Sequence, residues 1–329
     1  MKTIAFFNNK GGVGKTSLVY HIAWMLSDLG IRSIAADLDP QANLTSMFLD
    51  EERLEAIWEN APERTIHGIV SPQFRGIGDI LPPVMEAIND NLGLLVGDLR
   101  LSGLEDLLSD AWPRCANGDE RSFRVMSSFA RTIAEAGESS GAAVALIDVG
   151  PNLGALNRTV LLGCDFVVVP LGADLFSLQG LRNMGPALRR WRDTWRNHRS
   201  QNPDPGIMLP MGEMLPVGYV VMRHSVLAGK PARAFGRWME RIPAAFHRDV
   251  LSETRIPSDR VNEDPKCLAV LKDYRSLMPL AQEARKPMFK LRPADGAFGG
   301  HQKAVQDCGA DFRELTLHIL GACGLPGPV

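Results

Sequence analysis

Apolar and polar positions near the start of the chain follow first a strand pattern and then a helix pattern. Residues 2–8 form a short apolar run, which is typical of a buried parallel strand. The next apolar residues recur at helical spacing, at Leu18, Ile22, Met25, Leu26 and Leu29. Gly30 follows where a helix C-terminal cap is expected, and residues 31–36 form a second apolar run. The pattern therefore predicts a β-loop-α-β unit.

Further apolar runs predict later strands of the same sheet. The candidates are residues 92–96, 142–147, 166–170 and 217–222, with a weaker one at 251–256. Helical patterns lie between most of them. We therefore expect an α/β fold, with a mostly parallel twisted sheet and helices on both faces.

Two regions depart from this regular pattern. Residues 50–124 are long for a connection and mix proline, glycine and charged residues, which predicts a helical insertion. Residues 284–303 carry several prolines and glycines, so they are expected to be extended before a last helix over 311–320. We expect residues 1–329 to form one decorated domain.

Composition restricts the class of protein. The chain has 329 residues, 45% of them apolar, so its core needs no disulfide or metal for stability. Five widely spaced cysteines without a C-x-x-C pair argue against a zinc ribbon. No apolar run approaches the roughly 18 residues of a membrane helix, and the N-terminal run does not read as a signal peptide, so we expect a cytoplasmic protein.

Charge is unevenly distributed although the net charge is only −2. Residues 181–260 contain fourteen Arg and Lys against seven Asp and Glu, whereas residues 50–63 are acidic. Such asymmetry indicates an anionic partner for one face of the molecule.

The stretch NNKGGVGKTS nearly matches the phosphate-binding pattern G-x-x-x-x-G-K-[ST]. Gly14, Lys15 and Thr16 fit its end, but Asn9 stands at the first glycine position and a second lysine, Lys10, follows. In such a loop the backbone N–H groups bind phosphates, the lysine reaches the β- and γ-phosphates, and the Thr hydroxyl holds Mg²⁺. A left-handed conformation at Asn9 would preserve the loop. Lys10 is either a solvated surface lysine or acts beyond its own subunit.

Three carboxylates follow predicted strands. Asp37 and Asp39 lie at the end of the second predicted strand, and Asp148 directly follows the predicted strand over residues 142–147. The carboxyl ends of parallel strands are where open α/β sheets bind ligands. One such acid often only caps a helix, but three beside a phosphate loop indicate nucleotide–Mg²⁺ chemistry.

These motifs resemble the ParA/MinD family of deviant Walker A ATPases, and its ParA (Soj-like partitioning) branch in particular. The similar stretches are KGGVGKT at residues 10–16, DLDPQANLT at 37–45, DVGPNLG at 148–154, VVP at 168–170 and FSLQG at 176–180. The chain departs from the family at Gly150-Pro151, where two prolines are usual, and at Met222-Arg223-His224.

The resemblance implies a deviant P-loop NTPase fold and roles for individual residues. It implies an ATP-sandwich homodimer, in which Lys10 reaches the nucleotide of the other subunit much as an arginine finger does. The catalytic residues would be Lys10, Lys15 and Asp39. ATP would be held by Lys10, Gly11, Gly12, Val13, Gly14, Lys15, Thr16, Ser17 and, at the adenine ring, Pro257. Mg²⁺ and its waters would be held by Thr16, Asp37, Asp39 and Asp148. Hydrolysis would be slow and stimulated by a ParB-like or other partner protein.

Members of the ParA branch bind DNA without sequence preference. The candidate DNA residues here are Arg189, Arg190, Arg192, Arg223, Arg233 and Arg237, and DNA binding would associate the protein with the nucleoid. Alternatively, these arginines form a solvated face that pairs with the acidic residues of the insertion. The last helix has no lysine and two acids, so we expect no membrane partner.

The expected function is an ATP-dependent dimerising switch in plasmid or chromosome partitioning, or in positioning another cargo. The alternative is an ATP-dependent regulatory adaptor of a mobile-element or defence system that does not bind DNA. A metabolic ATP-using synthetase is disfavoured because the sequence shows no small-molecule site.

Overall fold

The structure is a computed structural model that describes residues 1–222, 232–274 and 276–327. One sheet organises this part of the chain. Its eight strands within these residues are β1 (Lys2–Phe6), β2 (Ser33–Asp37), β3 (Glu86–Asn89), β4 (Leu92–Leu95), β5 (Val144–Asp148), β6 (Phe166–Gly172), β7 (Leu215–Met222) and β8 (Cys267–Leu271). Their order is β3-β4-β2-β5-β1-β6-β7-β8, and only β3 runs antiparallel to its neighbour. The predicted α/β class with a mostly parallel sheet is confirmed.

Helices cover both faces of this sheet. The described residues form α1 (Lys15–Asp28), α2 (Asn43–Phe48), α3 (Glu51–Asn60), α4 (Ile66–Arg75), α5 (Glu105–Arg114), α6 (Glu120–Ser140), α7 (Ala155–Leu162), α8 (Leu175–Arg199), α9 (Ala232–Met239), α10 (Ile242–Ala245), α11 (Leu277–Ala284) and α12 (Gly300–Ala322). Alternate residues along β1 and Phe7, which follows it, point to opposite sides: Ile4 and Phe6 pack with α1 and α12, whereas Ala5 and Phe7 pack with α4 to α8. In the described part of the chain, no helix is long and apolar enough to cross a membrane.

Several boundaries differ from the sequence prediction. The weak strand predicted over residues 251–256 is wrong, because a π-helix over Phe246–Leu251 ends there at Ser252, whose φ is 61°. The last strand is instead β8, which pairs in parallel with β7. The short edge strand β3 was missed because it has no continuous apolar run. The final helix begins at Gly300, so only the first part of residues 284–303 is irregular.

Residues 50–124 cover the sheet and also extend it. They contain α3, α4 and α5 together with β3 and β4. β4 pairs in parallel with β2, so this region reaches the strand that carries Asp37.

A buried histidine joins the π-helix to β7 and to the segment before β8. Nδ1 of His247 lies 2.5 Å from Glu253 Oε2, and its Nε2 lies 2.9 Å from Asp264 Oδ1. The hydroxyl of Tyr219 donates to the other oxygen of Asp264, at 2.7 Å. Burial lowers the pKa of His247, but the hydrogen bonds to Asp264 and Glu253 outweigh it and place the pKa above its ordinary value.

This network predicts a pH-dependent stability. Because the folded-state pKa of His247 is raised, the stabilisation is fully present below the unfolded-state value of 6.5 and is lost as pH rises through the folded-state pKa. The thermal midpoint of the wild type should therefore exceed that of His247→Gln most at low pH, and the gap should narrow as pH rises. His301→Gln, at a more exposed histidine, is the control. A gap that does not change with pH would contradict this reading of the network.

Candidate nucleotide site

The phosphate loop joins β1 to the N-terminus of α1. Its left-handed positions fall on Gly12 (φ 70°) and Gly14 (φ 82°), and Asn9 does not have a positive φ. The left-handed conformation expected at Asn9 is therefore wrong, because the chain turns at the two glycines instead. A side chain at Gly14 would meet Met222 at 2.9 Å, so the loop also packs closely against the end of β7. The loop ends directly at the first residue of α1, where free backbone N–H groups favour an anion.

Asn8 holds the start of the loop in place. Its Nδ2 donates to Pro170 O at 2.7 Å, and its Oδ1 accepts the backbone N–H of Lys10 at 3.0 Å. Lys15 is buried, with its Nζ 3.4 Å from Asn8 O and 3.5 Å from Lys10 O. Burial lowers the pKa of Lys15, while the charges of Asp148 and Asp39 oppose that shift. The ammonium group of Lys15 thus lies inside the loop and near the acids.

The strand-end acids meet beside the loop. Asp37 and Asp148 are fully buried and lie opposite each other in the pairing of β2 with β5. Asp37 Oδ2 accepts the N–H and the hydroxyl of Thr45, both at 2.8 Å. Burial raises the pKa of Asp37 to about 7 against these hydrogen bonds. Asp39 is also buried, and its Oδ1 accepts the N–H of Gln41 at 3.0 Å.

Asp148 differs from Asp37 in having no well-formed hydrogen bond to a described residue, although the Thr16 hydroxyl lies near it. Burial raises its pKa well above the ordinary value, the charge of Asp37 adds to the rise, and the nearby Thr16 hydroxyl opposes it. A buried carboxylate without a well-formed hydrogen bond to these residues, beside a hydroxyl and other acids, suits a hard cation such as Mg²⁺.

The described residues do not by themselves supply a complete metal cage. Within the described residues, no group of three or more His, Cys, Asp or Glu side chains is arranged to hold a metal ion. Mg²⁺ commonly binds through one or two carboxylates together with substrate phosphates and waters. The residues present therefore fit an ion that arrives with a nucleotide.

Lys10 has a partner within its own subunit. Its Nζ lies 2.5 Å from Asp174 Oδ2 and 3.4 Å from Ser177 Oγ. Asp174 also caps α8 by accepting the N–H of Ser177 at 2.9 Å. Burial raises the pKa of Asp174, but hydrogen bonds from Lys10 and Ser177 outweigh it, and the pKa lies below its ordinary value. This ion pair is about one-third exposed, with side-chain accessibilities of 28% and 33%.

A cavity of about 630 Å³ opens beside the loop, which is within the usual size of a small-ligand site. At the loop end it is lined by Gly11, Gly12, Gly14, Lys15, Thr16, Ser17 and Asp39, and Val13 is buried beneath the loop. At the far end it is lined by Lys272, Tyr274, Met278, Gln282, Met288 and Phe312. The lining thus combines the phosphate-loop residues with side chains that offer apolar surface to a base, namely Tyr274, Met278, Met288 and Phe312, and with polar ones such as Lys272 and Gln282.

Pro257 does not line this cavity, so the adenine contact expected there is not supported by the structure. It lines a separate hollow with Ser252, Glu253, Thr254 and Arg255. The far end of the nucleotide cavity is built instead by the segment after β8 and by α11 and α12. These residues were not assigned to the site from the sequence, where the last predicted strand lies too early in the chain.

The candidate DNA arginines have different surroundings. Arg189 Nη1 donates to Asp249 O and Val250 O, at 3.0 and 2.8 Å. Arg192 donates to Glu213 O at 2.6 Å and to Met214 O at 3.1 Å. These two guanidinium groups fasten α8 to neighbouring segments, which argues against their assignment to a DNA surface.

Of the other four candidate arginines, the structure describes the side chains of two. Arg190 and Arg237 are exposed. Arg223 lies outside the described residues, and the structure does not describe the side chain of Arg233. Of the six candidates, Arg190 and Arg237 are therefore the two whose exposure supports contact with DNA.

The sheet, the loop at the start of α1 and the strand-end acids together define a nucleotide-binding protein of the phosphate-loop class. Residues 1–200 match the model of the family AAA_31, an AAA domain. With this match and the relatives below, the chain belongs to that family and to its ParA/MinD group of deviant Walker A ATPases.

Curated relatives match the N-terminal part of the chain. The chromosome partitioning protein ParA of Caulobacter vibrioides is 26% identical over 193 residues, which cover 58% of this chain and 64% of that protein. The sporulation initiation inhibitor protein Soj of Bacillus subtilis is 27% identical over 183 residues, covering 56% and 63%. The matches thus span less than two thirds of each of these relatives.

Solved structures match nearly the whole chain. Protein DIP2308 from Corynebacterium diphtheriae has a TM-score of 0.74 at 25% identity, covering 98% of this chain and 99% of that one. A Cyanothece McdA–ATP complex has a TM-score of 0.64 at 16% identity, covering 100% and 98%. The cell division ATPase MinD of Pyrococcus furiosus has a TM-score of 0.57 at 15% identity, covering 97% and 98%. The two latter likenesses establish the shared fold.

Proposed function

We propose that this protein is an ATP-dependent dimerising switch that hydrolyses ATP slowly in the presence of Mg²⁺. The observation that carries the proposal is that the buried Lys15 lies near Asp39 and Asp148 beside one cavity of about 630 Å³. The second loop lysine, Lys10, pairs instead with Asp174. The loop backbone and Lys15 bind the phosphates, and the part of the cavity lined by Tyr274, Met278, Met288 and Phe312 receives the base.

The residues around the phosphates have separate roles. The Thr16 hydroxyl and Asp148, which has no well-formed hydrogen bond among the described residues, would hold Mg²⁺, whose chemistry is to neutralise charge that develops on the phosphate oxygens. Asp37 is held by Thr45 and supports that arrangement from beneath. Asp39 stands at the rim of the cavity and orients the attacking water, as its position at the end of β2 allows.

Lys10 serves the nucleotide of a second subunit in this proposal. Lys15 already occupies the inside of its own loop, whereas Lys10 points to Asp174 at the partly exposed start of α8. Leu175 and Phe176 at the same helix start are 51% and 72% exposed, so an apolar surface adjoins Lys10. Contact between two such surfaces would release Lys10 from Asp174 and direct it across the interface.

The switch would act in plasmid or chromosome partitioning, or in positioning another cargo, with a ParB-like or other partner that stimulates hydrolysis. The partitioning relatives support this role, and the exposed Arg190 and Arg237 support non-specific DNA binding by the dimer.

DNA binding can be tested with arginine-to-alanine variants. The wild type with ATP and Mg²⁺ should bind a random-sequence duplex with a steep salt dependence, and an Arg190→Ala/Arg237→Ala double variant should bind several-fold more weakly with a shallower slope. Arg313→Ala, at an exposed arginine of α12, is the control and should retain wild-type binding. Equal DNA binding by all three proteins would exclude this surface.

A second candidate is an ATP-dependent regulatory adaptor of a mobile-element or defence system that does not bind DNA. The contacts of Arg189 and Arg192 with backbone carbonyls favour it, because they remove two cations from the proposed DNA surface. A wild-type protein that dimerises with ATP and ignores DNA would favour this candidate over partitioning.

A further inference from the structure

A glutamate from α5 caps the helix that follows the Asp148 segment. The carboxylate of Glu105 accepts two backbone N–H groups of α7, from Ala155 at 2.5 Å and from Leu156 at 2.9 Å. Gly154, the residue before the helix, has no side chain to cap it. A negative charge at a helix N-terminus stabilises the free N–H groups there. The cap of α7 therefore comes from a residue about fifty positions earlier in the chain.

The same two helices make a second contact one turn further on. The guanidinium carbon of Arg158 in α7 lies 4.4 Å from the ring centroid of Trp112 in α5. Trp112 in turn stacks on Trp195 of α8, with ring centroids 5.9 Å apart. Burial lowers the pKa of Arg158 to about 10, and the charge of Glu105 opposes that shift. α5 thus holds α7 at its end and along its side.

The segment before α7, residues 149–154, lies against Asp39 and the phosphate loop. Asn157 of α7 donates through Nδ2 to Gly150 O and to Asn152 O, both at 2.8 Å. A side chain at Gly150 would meet Asp39 Oδ1 at 3.4 Å, and one at Gly11 would meet Pro151 at 3.9 Å. Residues 149–154 therefore pass directly beside Asp39 and the phosphate loop, and their path depends on where α7 begins.

We infer that Glu105 is a positioning residue for hydrolysis: by capping α7 it holds residues 149–154 against Asp39 and the phosphate loop. This inference rests on the proposed ATPase function. It also gives residues 50–124 a part in the reaction, since the capping carboxylate comes from within them. The hydrogen bonds of Glu105 go to Ala155 and Leu156 of α7, so its effect should appear in turnover rather than in nucleotide affinity.

The test compares Glu105→Ala and Glu105→Gln with Asp106→Asn. Asp106 is an exposed acid in the same first turn of α5, so its variant loses a comparable charge without touching α7. In Glu105→Ala we expect kcat to fall about tenfold, as for the loss of a good helix cap near reacting groups, with the dissociation constant of a fluorescent ATP analogue within about twofold. The kcat of Glu105→Gln should lie between those of the wild type and Glu105→Ala, because an amide keeps one acceptor oxygen. Asp106→Asn should match the wild type.

Amide hydrogen exchange of the nucleotide-free proteins supplies a readout that does not depend on activity. Exchange at Ala155, Leu156 and the non-proline residues of 149–154 should be faster in Glu105→Ala than in the wild type or in Asp106→Asn. Faster exchange with unchanged kcat would make Glu105 a helix cap only and overturn the inference. Unchanged exchange would overturn it as well. A wild type that binds ATP but never hydrolyses it would contradict the proposed function, and with it the inferred role of Glu105 in hydrolysis.

Discussion

Replacing Lys10 with alanine is expected to reduce ATP turnover by about 10³-fold or more, the lower range for removing a cation that acts in trans on phosphoryl transfer. The variant should still bind ATP, because Lys15 and the loop backbone remain. Lys2→Ala is the matched control, since Lys2 is also a partly exposed lysine that pairs with an aspartate of its own subunit, at 3.4 Å from Asp165. Steady-state phosphate release measures both variants.

Mixing variants distinguishes action in trans from action within one subunit. In a mixed dimer of Lys10→Ala with Asp39→Ala, one site combines an intact Asp39 with Lys10 from the other subunit. If Lys10 acts in trans, the two inactive proteins mixed in equal amounts should therefore regain up to about a quarter of the wild-type turnover, because random pairing makes about half of the dimers mixed and each mixed dimer has one intact site. If Lys10 acts on its own nucleotide, each subunit lacks one essential group, and the mixture should stay inactive.

The Asp39→Ala variant is expected to bind ATP and dimerise like the wild type while turnover falls by about 10²- to 10⁴-fold. The physical reason is that Asp39 faces the cavity but does not support the loop, whose shape is fixed by Asn8 and the glycines. Asp39→Asn isolates the charge, because its amide oxygen can still accept the N–H of Gln41. Both variants should lose turnover to a similar degree.

Two other results would contradict a role of Asp39 in hydrolysis. If Asp39→Asn keeps wild-type turnover and only Asp39→Ala loses it, Asp39 serves to shape the turn at Gln41. If either variant fails to bind a fluorescent ATP analogue, Asp39 belongs to the binding machinery instead.

The central part of the fold was predictable because its signals are local. The phosphate loop and the apolar runs that became β1, β2, β5, β6 and β7 each follow from a few consecutive residues. Asp37 and Asp148 could be brought together from sequence, since the ends of parallel strands share one edge of a sheet. What the sequence did not reveal is that Asp37 is held by Thr45 whereas Asp148 has no well-formed partner.

The errors concern contacts between distant parts of the chain. The last strand was placed at residues 251–256 instead of at β8, and Pro257, which was assigned to the base through the family resemblance, lines a separate hollow and not the cavity beside the loop. Arg189 and Arg192 looked like free surface charges on a helix, because their carbonyl partners come from segments about 20 to 60 residues away. Glu105 carries no motif, and only the packing of α5 on α7 indicates its role.

The most direct test is the mass of the protein in solution with ATP and Mg²⁺, for the wild type, Lys10→Ala and Asp39→Ala, each compared with the nucleotide-free form. We expect the wild type to be a monomer without nucleotide and to shift towards a dimer with ATP, and Asp39→Ala to remain dimeric because it does not hydrolyse ATP. Three proteins that all stay monomeric with saturating ATP would contradict the account, since Lys10 would then have no second nucleotide to reach.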